Sequence, residues 1–290
     1  MKRSAGEKAF EAGNLLLLCL LGAATLYPFL YVFTISLSSP ADINRPGMHL
    51  FPMDPSFAAY SKVLEDANLY RAYGNTLLRT AVGVASVTLL CSLTAYPLSR
   101  SHFPNRNLFM KLIVFSMLFN GGMIPLYLLV KSLGLVDSFW SLILPVAVSG
   151  FNLIVLRNFF QALPGELLES AKIDGAGEGT IFFRIVLPLS TPLLAVVGLW
   201  AAVGHWNAWF DAMIYLNDSS KQVLQLYLRH NVVDSSTNLA TEFKLDDMTA
   251  IVPENLKAAI IMAISLPILL VYPFVQRFFV KGIMLGSVKG

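Results

Sequence analysis

Six long stretches of this sequence contain no aspartate, glutamate, lysine or arginine, and they constrain the fold more than any other feature. They are residues 12–41, 80–99, 112–130, 138–156, 185–210 and 258–276. A helix needs about 20 predominantly apolar residues to cross the hydrocarbon core of a membrane. The sequence therefore predicts an all-α, polytopic membrane protein with a six-span domain over 14–279. The spans are expected near 14–37, 75–98, 108–130, 138–157, 186–210 and 257–279.

The distribution of basic residues predicts the orientation of these spans. If residues 1–13 are cytoplasmic, twelve of the 21 lysines and arginines fall in the cytoplasmic segments, although the outer loops are much longer. This is the positive-inside pattern of membrane proteins. We therefore expect cytoplasmic termini, residues 1–13 and 280–290, and a retained first helix rather than a cleaved signal peptide. The net charge of +3 reflects topology and gives no reason to expect a nucleic-acid partner.

Prolines inside the predicted spans predict kinks. They are Pro28, Pro97, Pro125, Pro145, Pro267 and Pro273. In a membrane bundle, neighbouring helices can satisfy the carbonyl groups that a proline frees. Kinks of this kind can serve packing alone or can act as hinges, and the sequence leaves both readings open.

The cytoplasmic segment 158–192 is far longer than the two to eight residues, roughly, that connect helices in a bundle. Glu166 and Glu169 would lie in the first turn of a short helix, where acidic side chains suit the helix dipole. Gly175 can end that helix in a left-handed conformation, and a second short helix is expected over 180–185. The apolar ridge of the first of these two helices would consist of Leu167, Leu168 and Ala171. A docking element for another protein and an amphipathic helix lying in the headgroups are both compatible with this pattern.

The same segment resembles the EAA loop of the permease subunits of binding-protein-dependent ABC importers. That loop has the form EAA, three residues, Gly, nine residues, then I-x-L-P. Here Glu169-Ser170-Ala171 is followed by three residues, Gly175, nine residues and Ile185-Val186-Leu187-Pro188. The one departure is Ser170, a small residue in place of the central alanine. The resemblance covers the loop 166–188 at a long, fixed spacing, which makes it highly specific.

The resemblance extends over nearly the whole chain to the carbohydrate-uptake branch, the maltose-type second permease. Within that branch it is nearest to permeases for complex oligosaccharides such as alginate or pectin fragments. The segments that carry it are 120–135, 152–176, 206–218 and 281–290. The resemblance implies a subunit of the bacterial inner membrane that forms half of a translocation pathway for an oligosaccharide. The tail 286–290 matches relatives whose C-terminus reaches into the ATPase, although a frayed end is equally compatible with the sequence.

The resemblance also implies partners and a division of labour. The chain has no G-x-x-x-x-G-K-[ST] loop, so we expect ATP and Mg²⁺ to bind to a separate cytoplasmic ATPase dimer. The residues expected to couple to that ATPase are Glu169, Ser170, Ala171, Asp174, Gly175, Ile185, Leu187 and Pro188. A second, homologous permease and an extracytoplasmic binding protein are the other expected partners. The binding protein would dock on 38–74 and 211–255, whose charged residues include Asp42, Arg45, Glu242, Lys244, Asp246 and Asp247.

Aromatic and amide side chains inside spans are candidates for contacting sugar, because sugars stack on rings and pair with amides. The candidate pathway residues are Asn120, Tyr127, Asn152, Trp206, Asn207, Trp209 and Phe210. A buried asparagine can equally join two helices, and aromatic residues near span ends can belong to the interfacial belt. Arg79 is expected to snorkel toward the outer surface, and His205 is a further intramembrane candidate.

Two other classes of membrane protein remain as alternatives. An ion-coupled secondary transporter or channel usually carries acidic groups near the midplane, whereas these spans offer only His205 and the boundary residues Arg79 and Asp211. A membrane-embedded enzyme would need a catalytic motif, and neither H-E-x-x-H nor G-x-S-x-G occurs. Cys19 and Cys91 fall in separate spans without zinc-ligand spacing, so we expect no metal, no cofactor and no catalytic residues.

Overall fold

The computed structural model describes residues 5–43, 45–47, 49–234 and 252–287. These residues form helices and connecting loops, with one isolated β-bridge between Ser38 and Pro55, so the all-α prediction is confirmed. The first α-helices are α1 (Ala5–Leu37), α2 (Pro40–Ile43), α3 (Ala58–Glu65), α4 (Ala67–Ser99), α5 (Arg106–Leu118), α6 (Met123–Ser132) and α7 (Gly150–Gln161). They are followed by α8 (Gly165–Ile173), α9 (Glu178–Ile181), α10 (Leu187–Leu189), α11 (Thr191–Asn207), α12 (Phe210–Tyr215), α13 (Leu224–Arg229) and α14 (Pro253–Ser287). The 3₁₀ helices are Phe139–Leu142, Leu144–Val146 and Ser219–Lys221, and the π-helices are Phe182–Val186 and His230–Asp234.

Three of the six predicted spans are continuous helices that are long and apolar enough to cross a membrane. They are most of α1, all of α4 and the first 18 residues of α14. The other three are pairs of helices that meet at a sharp bend. The bends measure 114° between α5 and α6, 50° between Phe139–Val146 and α7, and 80° between Glu178–Leu189 and α11. Counting each bent pair as one span gives the predicted six.

The sharpest bend follows from a glycine pair rather than from a proline. Gly122 adopts φ +91°, a conformation that residues with a Cβ atom rarely take. The Asn120 side chain accepts a hydrogen bond from the Gly122 amide at 2.9 Å and fixes this turn. Pro28 and Pro97 lie inside unbroken helices, and Pro125 lies in the first turn of α6. The proline pattern therefore did not locate this break.

The described residues divide into two compact units. The first unit combines 1–69 with 228–268, and the second combines 70–227 with the chain from 269 onward. In the first unit, the loop after α1 is tied to the end of that helix. The Ser56 amide donates to the Leu37 carbonyl at 2.7 Å, and the Asn255 side chain donates to the Ser38 carbonyl at 3.3 Å. The start of α14 therefore helps to hold this loop in place.

Asp42 lies in this loop region, and the expectation that it lines an exposed docking surface is wrong. Its side chain is buried, accepts a hydrogen bond from the Met53 amide at 2.8 Å and lies 4.0 Å from the Arg45 guanidinium. The Met53 N–H stabilises the ionised carboxylate and lowers the pKa of Asp42. Arg45 itself remains exposed. The other predicted docking charges, Glu242, Lys244, Asp246 and Asp247, lie outside the described residues.

The second unit is organised around a hydrophobic cluster that joins most of its helices. Helices α4, α7 and α11 contribute Cys91, Leu156 and Val197, each of which is fully buried. Leu168 of α8 and Ile181 of α9 belong to the same cluster. Because α8 and α9 belong to the predicted cytoplasmic segment, that segment is anchored to the spans by apolar packing.

Candidate functional site

Residues at both ends of helix α8 explain where the helix begins and ends. Glu166 lies in the first turn and Lys172 in the last, so both side chains complement the helix dipole. Gly175 has φ +81°, its amide donates to the Lys172 carbonyl at 3.0 Å, and the Ala176 amide donates to the Ala171 carbonyl at 2.9 Å. These two bonds form a Schellman motif. The predicted short helix with a left-handed glycine stop is therefore confirmed.

The residues of the EAA motif point in two directions. Glu169, Ser170, Asp174 and Gly175 are exposed, and Ala171 packs against the hydrophobic cluster. The predicted apolar ridge is wrong as a single surface, because its three members separate. Leu168 is buried and Ala171 half-buried, whereas Leu167 is exposed. The exposed apolar side chains of α8 are Leu167 and Ile173, and Ile173 retains 86% of its accessible surface.

The second half of the motif lies where the segment 158–192 leads into α11. Ile185 and Leu187 are half-buried against the hydrophobic cluster, and Pro188 is exposed. The backbone widens into the π-helix Phe182–Val186 immediately before α10. Ser190 closes this region by donating its hydroxyl to the Val186 carbonyl at 2.7 Å. Ala171, Ile185 and Leu187 therefore anchor the motif, and the remaining predicted coupling residues lie on its surface.

A polar network fixes the motif to the C-terminal end of α4. Glu178 accepts a hydrogen bond from the Tyr96 hydroxyl at 2.5 Å and forms an ion pair with Lys172 at 2.7 Å. The Arg100 guanidinium lies 4.5 Å from the centroid of the Tyr96 ring, within cation–π range. Sequence reasoning did not select Glu178 or Tyr96. The signal that could have found them is that both residues lie in or beside segments that the sequence predicts to be on the same side of the membrane.

A second site lies in the same unit, in a cavity of about 290 Å³ whose lining includes Asn152 and Trp200. Arg79, His205 and Asp211 also line it. The Arg79 guanidinium donates to both carboxylate oxygens of Asp211 and, at 3.2 Å, to the carbonyl of Ala208. The expectation that Arg79 snorkels is wrong, because the side chain is only 1% exposed. An ionisable residue inside a membrane protein needs such a partner.

The other predicted pathway residues do not line this cavity. Asn120 forms the turn between α5 and α6, and Asn207 donates to the Val203 carbonyl at 2.9 Å. The Tyr127 ring stacks on the Tyr215 ring with centroids 6.2 Å apart. The rings of Trp209 and Phe210 are in edge contact, with centroids 5.5 Å apart. The indole nitrogen of Trp206 is buried and has no hydrogen-bond partner among the described residues.

Comparison with known proteins agrees with this arrangement. Residues 88–285 match the family described as the inner membrane component of binding-protein-dependent transport systems. Protein LplC of Bacillus subtilis (strain 168) is 45% identical, and the alignment covers 100% of this chain and 98% of that protein. The polygalacturonan/rhamnogalacturonan transport system permease protein YtcP of the same organism is 44% identical, with coverage of 91% and 92%.

A solved structure shows the same fold. It is a chain of a bacterial ABC transporter involved in the import of the acidic polysaccharide alginate, with a TM-score of 0.91 and 34% sequence identity. The similarity covers 96% of this chain and 99% of the solved one. These matches favour a transport subunit over an ion-coupled carrier or a membrane-embedded enzyme. The chain therefore belongs to the inner membrane components of binding-protein-dependent transport systems, the permease subunits of ABC importers.

Proposed function

We propose that this chain forms half of the translocation pathway of an ATP-driven importer for acidic oligosaccharides. The other half is a second, homologous permease, and an extracytoplasmic binding protein delivers the substrate. ATP and Mg²⁺ bind to a separate cytoplasmic ATPase dimer. Both termini of this chain lie in the cytoplasm, on the side of the ATPase.

The observation that carries this proposal is the geometry of α8. Glu169, Ser170 and Asp174 form an exposed surface, while the opposite side of the helix is held by Leu168 in the hydrophobic cluster. The ion pair between Lys172 and Glu178 adds a second attachment at 2.7 Å. A helix that is anchored in this way moves together with the spans to which it is attached. Displacement of α8 by an ATPase would therefore reach α4 and α11 directly.

The acidic substrate class rests on the relatives, and the cavity beside Arg79 has groups that suit a sugar. One relative is named for polygalacturonan and rhamnogalacturonan transport, and the related solved transporter imports alginate. Both are acidic polysaccharides or contain acidic sugars. The cavity beside Arg79 contains the Asn152 amide and the Trp200 ring, which are groups suited to the hydroxyls and the face of a sugar, while Asp211 neutralises the Arg79 charge. Asn152 is accordingly the predicted pathway residue that the structure most favours.

Charge reversal on the exposed face of α8 tests the coupling role. We expect Glu169→Lys to lower co-purification of the ATPase by at least about tenfold, which corresponds to roughly 1.4 kcal/mol of binding free energy. Membrane insertion should be unchanged, because Glu169 is exposed. Glu166→Lys is the matched control, since it reverses the same charge on the same helix but outside the motif. Equal loss in both variants, or full retention in Glu169→Lys, would contradict the docking role.

The substrate class is tested in proteoliposomes that contain the complete transporter and its binding protein. We expect ATP-dependent uptake of short oligogalacturonates or oligomannuronates and much slower uptake of neutral galactosides. Preferential uptake of the neutral sugars would refute the acidic class while leaving the coupling role intact.

A further inference from the structure

Two adjoining cavities lie at the cytoplasmic end of α4, in the same unit as α8. One is polar, with a volume of about 370 Å³, and the other is apolar, with a volume of about 320 Å³. Tyr96, Arg100 and His102 line both of them. The two cavities therefore share a wall and together form one amphipathic site.

The polar cavity contains two arginines whose hydrogen-bonding capacity is not fully used. The Arg100 Nη2 atom is buried and has no hydrogen-bond partner among the described residues. Arg106, the first residue of α5, is half-buried and forms no ion pair or hydrogen bond with any residue that the structure describes. A guanidinium held in this way recognises an oxyanion through two parallel hydrogen bonds. Two such groups facing one cavity favour a phosphate.

The charge balance of the site is positive. Its cationic side chains are Arg100, Arg106 and Lys172, and its carboxylates are Glu169 and Glu178. Lys172 and Glu178 neutralise each other at 2.7 Å. Glu169 lies on the α8 wall and is exposed to solvent, which leaves both guanidinium groups to an incoming anion.

The apolar cavity indicates what accompanies the phosphate. Its apolar lining consists of Leu93 and Pro97 of α4 together with Phe103, Phe182 and Phe183. Phe183 retains 57% of its surface and is exposed at the groove. A free phosphate would leave this groove empty, whereas a lipid places its acyl chain along an apolar wall and its headgroup in the basic cavity. Basic pockets on the cytoplasmic side of membrane proteins bind anionic headgroups in this manner.

We propose that an anionic phospholipid of the cytoplasmic leaflet binds here, with its phosphate at Arg100 and Arg106 and an acyl chain beside Phe183. Gly165, Leu168 and Glu169 of α8 line the same polar cavity. The bound headgroup therefore contacts the coupling helix. The site shares Glu169 with the proposed docking surface, whereas Ser170 and Asp174 of that surface line neither cavity.

Native mass spectrometry of the complete transporter tests this proposal. The transporter is purified in nanodiscs of phosphatidylcholine mixed with phosphatidylglycerol and then released into detergent. We expect the wild-type protein to retain phosphatidylglycerol in preference to phosphatidylcholine. Arg100→Gln combined with Arg106→Gln should lower that retention at least fivefold, roughly 1 kcal/mol. Arg184→Gln is the control, because Arg184 is exposed and lines neither cavity.

Two further arms distinguish a lipid from a free phosphate. Phe183→Ser should lower phosphatidylglycerol retention, and millimolar inorganic phosphate should not displace the lipid from the wild-type protein. Displacement by inorganic phosphate with no effect of Phe183→Ser would overturn the lipid assignment. Equal retention of the two lipids by the wild-type protein, or unchanged retention in the double arginine variant, would overturn the site itself. Circular dichroism and size-exclusion profiles confirm that each variant is folded before the comparison.

Discussion

The ion pair between Arg79 and Asp211 gives a quantitative prediction because its two partners differ in burial. Arg79 is 1% exposed, whereas the Asp211 side chain is 26% exposed. Breaking a buried ion pair costs about 3 to 5 kcal/mol, mostly because the remaining charge is left without a partner. The cost should therefore depend on which partner is removed.

Removal of the carboxylate is the more damaging change. Asp211→Asn leaves the wholly buried Arg79 charge without a counterion, so we expect a loss of about 3 to 4 kcal/mol in the free energy of unfolding. Arg79→Met leaves a carboxylate that is partly solvated and still accepts a hydrogen bond from the Ala212 amide at 2.8 Å. We expect this variant to lose only about 2 kcal/mol. The double variant should lose less than the sum of the two single losses.

The assay is equilibrium unfolding of the purified transporter in mixed micelles, followed by tryptophan fluorescence for the wild-type protein, both single variants and the double variant. The double-mutant cycle isolates the interaction between the two side chains. Additive losses would show that the pair contributes nothing beyond its individual contacts. A larger loss from Arg79→Met than from Asp211→Asn would refute the argument from burial.

Three further predictions follow from other contacts. Gly83→Ala should lower the free energy of unfolding by about 1 to 3 kcal/mol through overpacking, because the new Cβ would collide with the His205 imidazole, and adding His205→Ala should recover that loss. Gly74→Ala in the same helix, where a Cβ would meet no atom within 4 Å, should raise the free energy of thermal unfolding by up to about 1 kcal/mol. The lowered pKa of Asp42, caused mainly by a backbone N–H bond, means that its stabilising contribution is present above the ordinary carboxyl pKa. That contribution is lost as pH falls from the ordinary carboxyl pKa through the lowered value in the folded state, so the stability advantage over Asp42→Asn should disappear over that range, and a constant advantage would contradict this assignment. Glu178→Gln should change the free energy of unfolding by less than about 1 kcal/mol, since the ion pair of Glu178 with Lys172 is half exposed. The same variant should lower the stimulation of ATPase activity by loaded binding protein, and normal stimulation would argue against a mechanical role for the network of Tyr96, Lys172 and Glu178.

Features with a local physical cause could be predicted from the sequence. The absence of charge from six stretches predicted the helical membrane fold, because a charged group in lipid is expensive wherever it lies along the chain. The stop at Gly175 was also predictable, since a glycine after a short helix favours the left-handed conformation. Both features depend on neighbours in sequence rather than on tertiary contacts.

Features that depend on tertiary contacts were missed. The burial of Arg79 depends on Asp211, which lies 132 positions away in the chain, and no periodicity reveals that pairing. The division of the motif into an exposed Glu169 and an anchored Ile185 depends likewise on what packs against each residue. The bend at Gly122 was also missed, although its cause is local: the Asn-Gly-Gly sequence is a turn signal inside an otherwise apolar stretch.

The bends in the three middle spans also bear on how the protein is made. Helices α5 and α6 contain 13 and 10 residues, and at 1.5 Å per residue each rises only about 15 to 20 Å. The hydrocarbon layer is about 30 Å thick, so neither segment can act alone as a stop-transfer sequence for the translocation machinery. We therefore expect insertion of this region to require both halves, so that a nascent chain ending at Leu118 would be held in the membrane by α1 and α4 but would lack a third span.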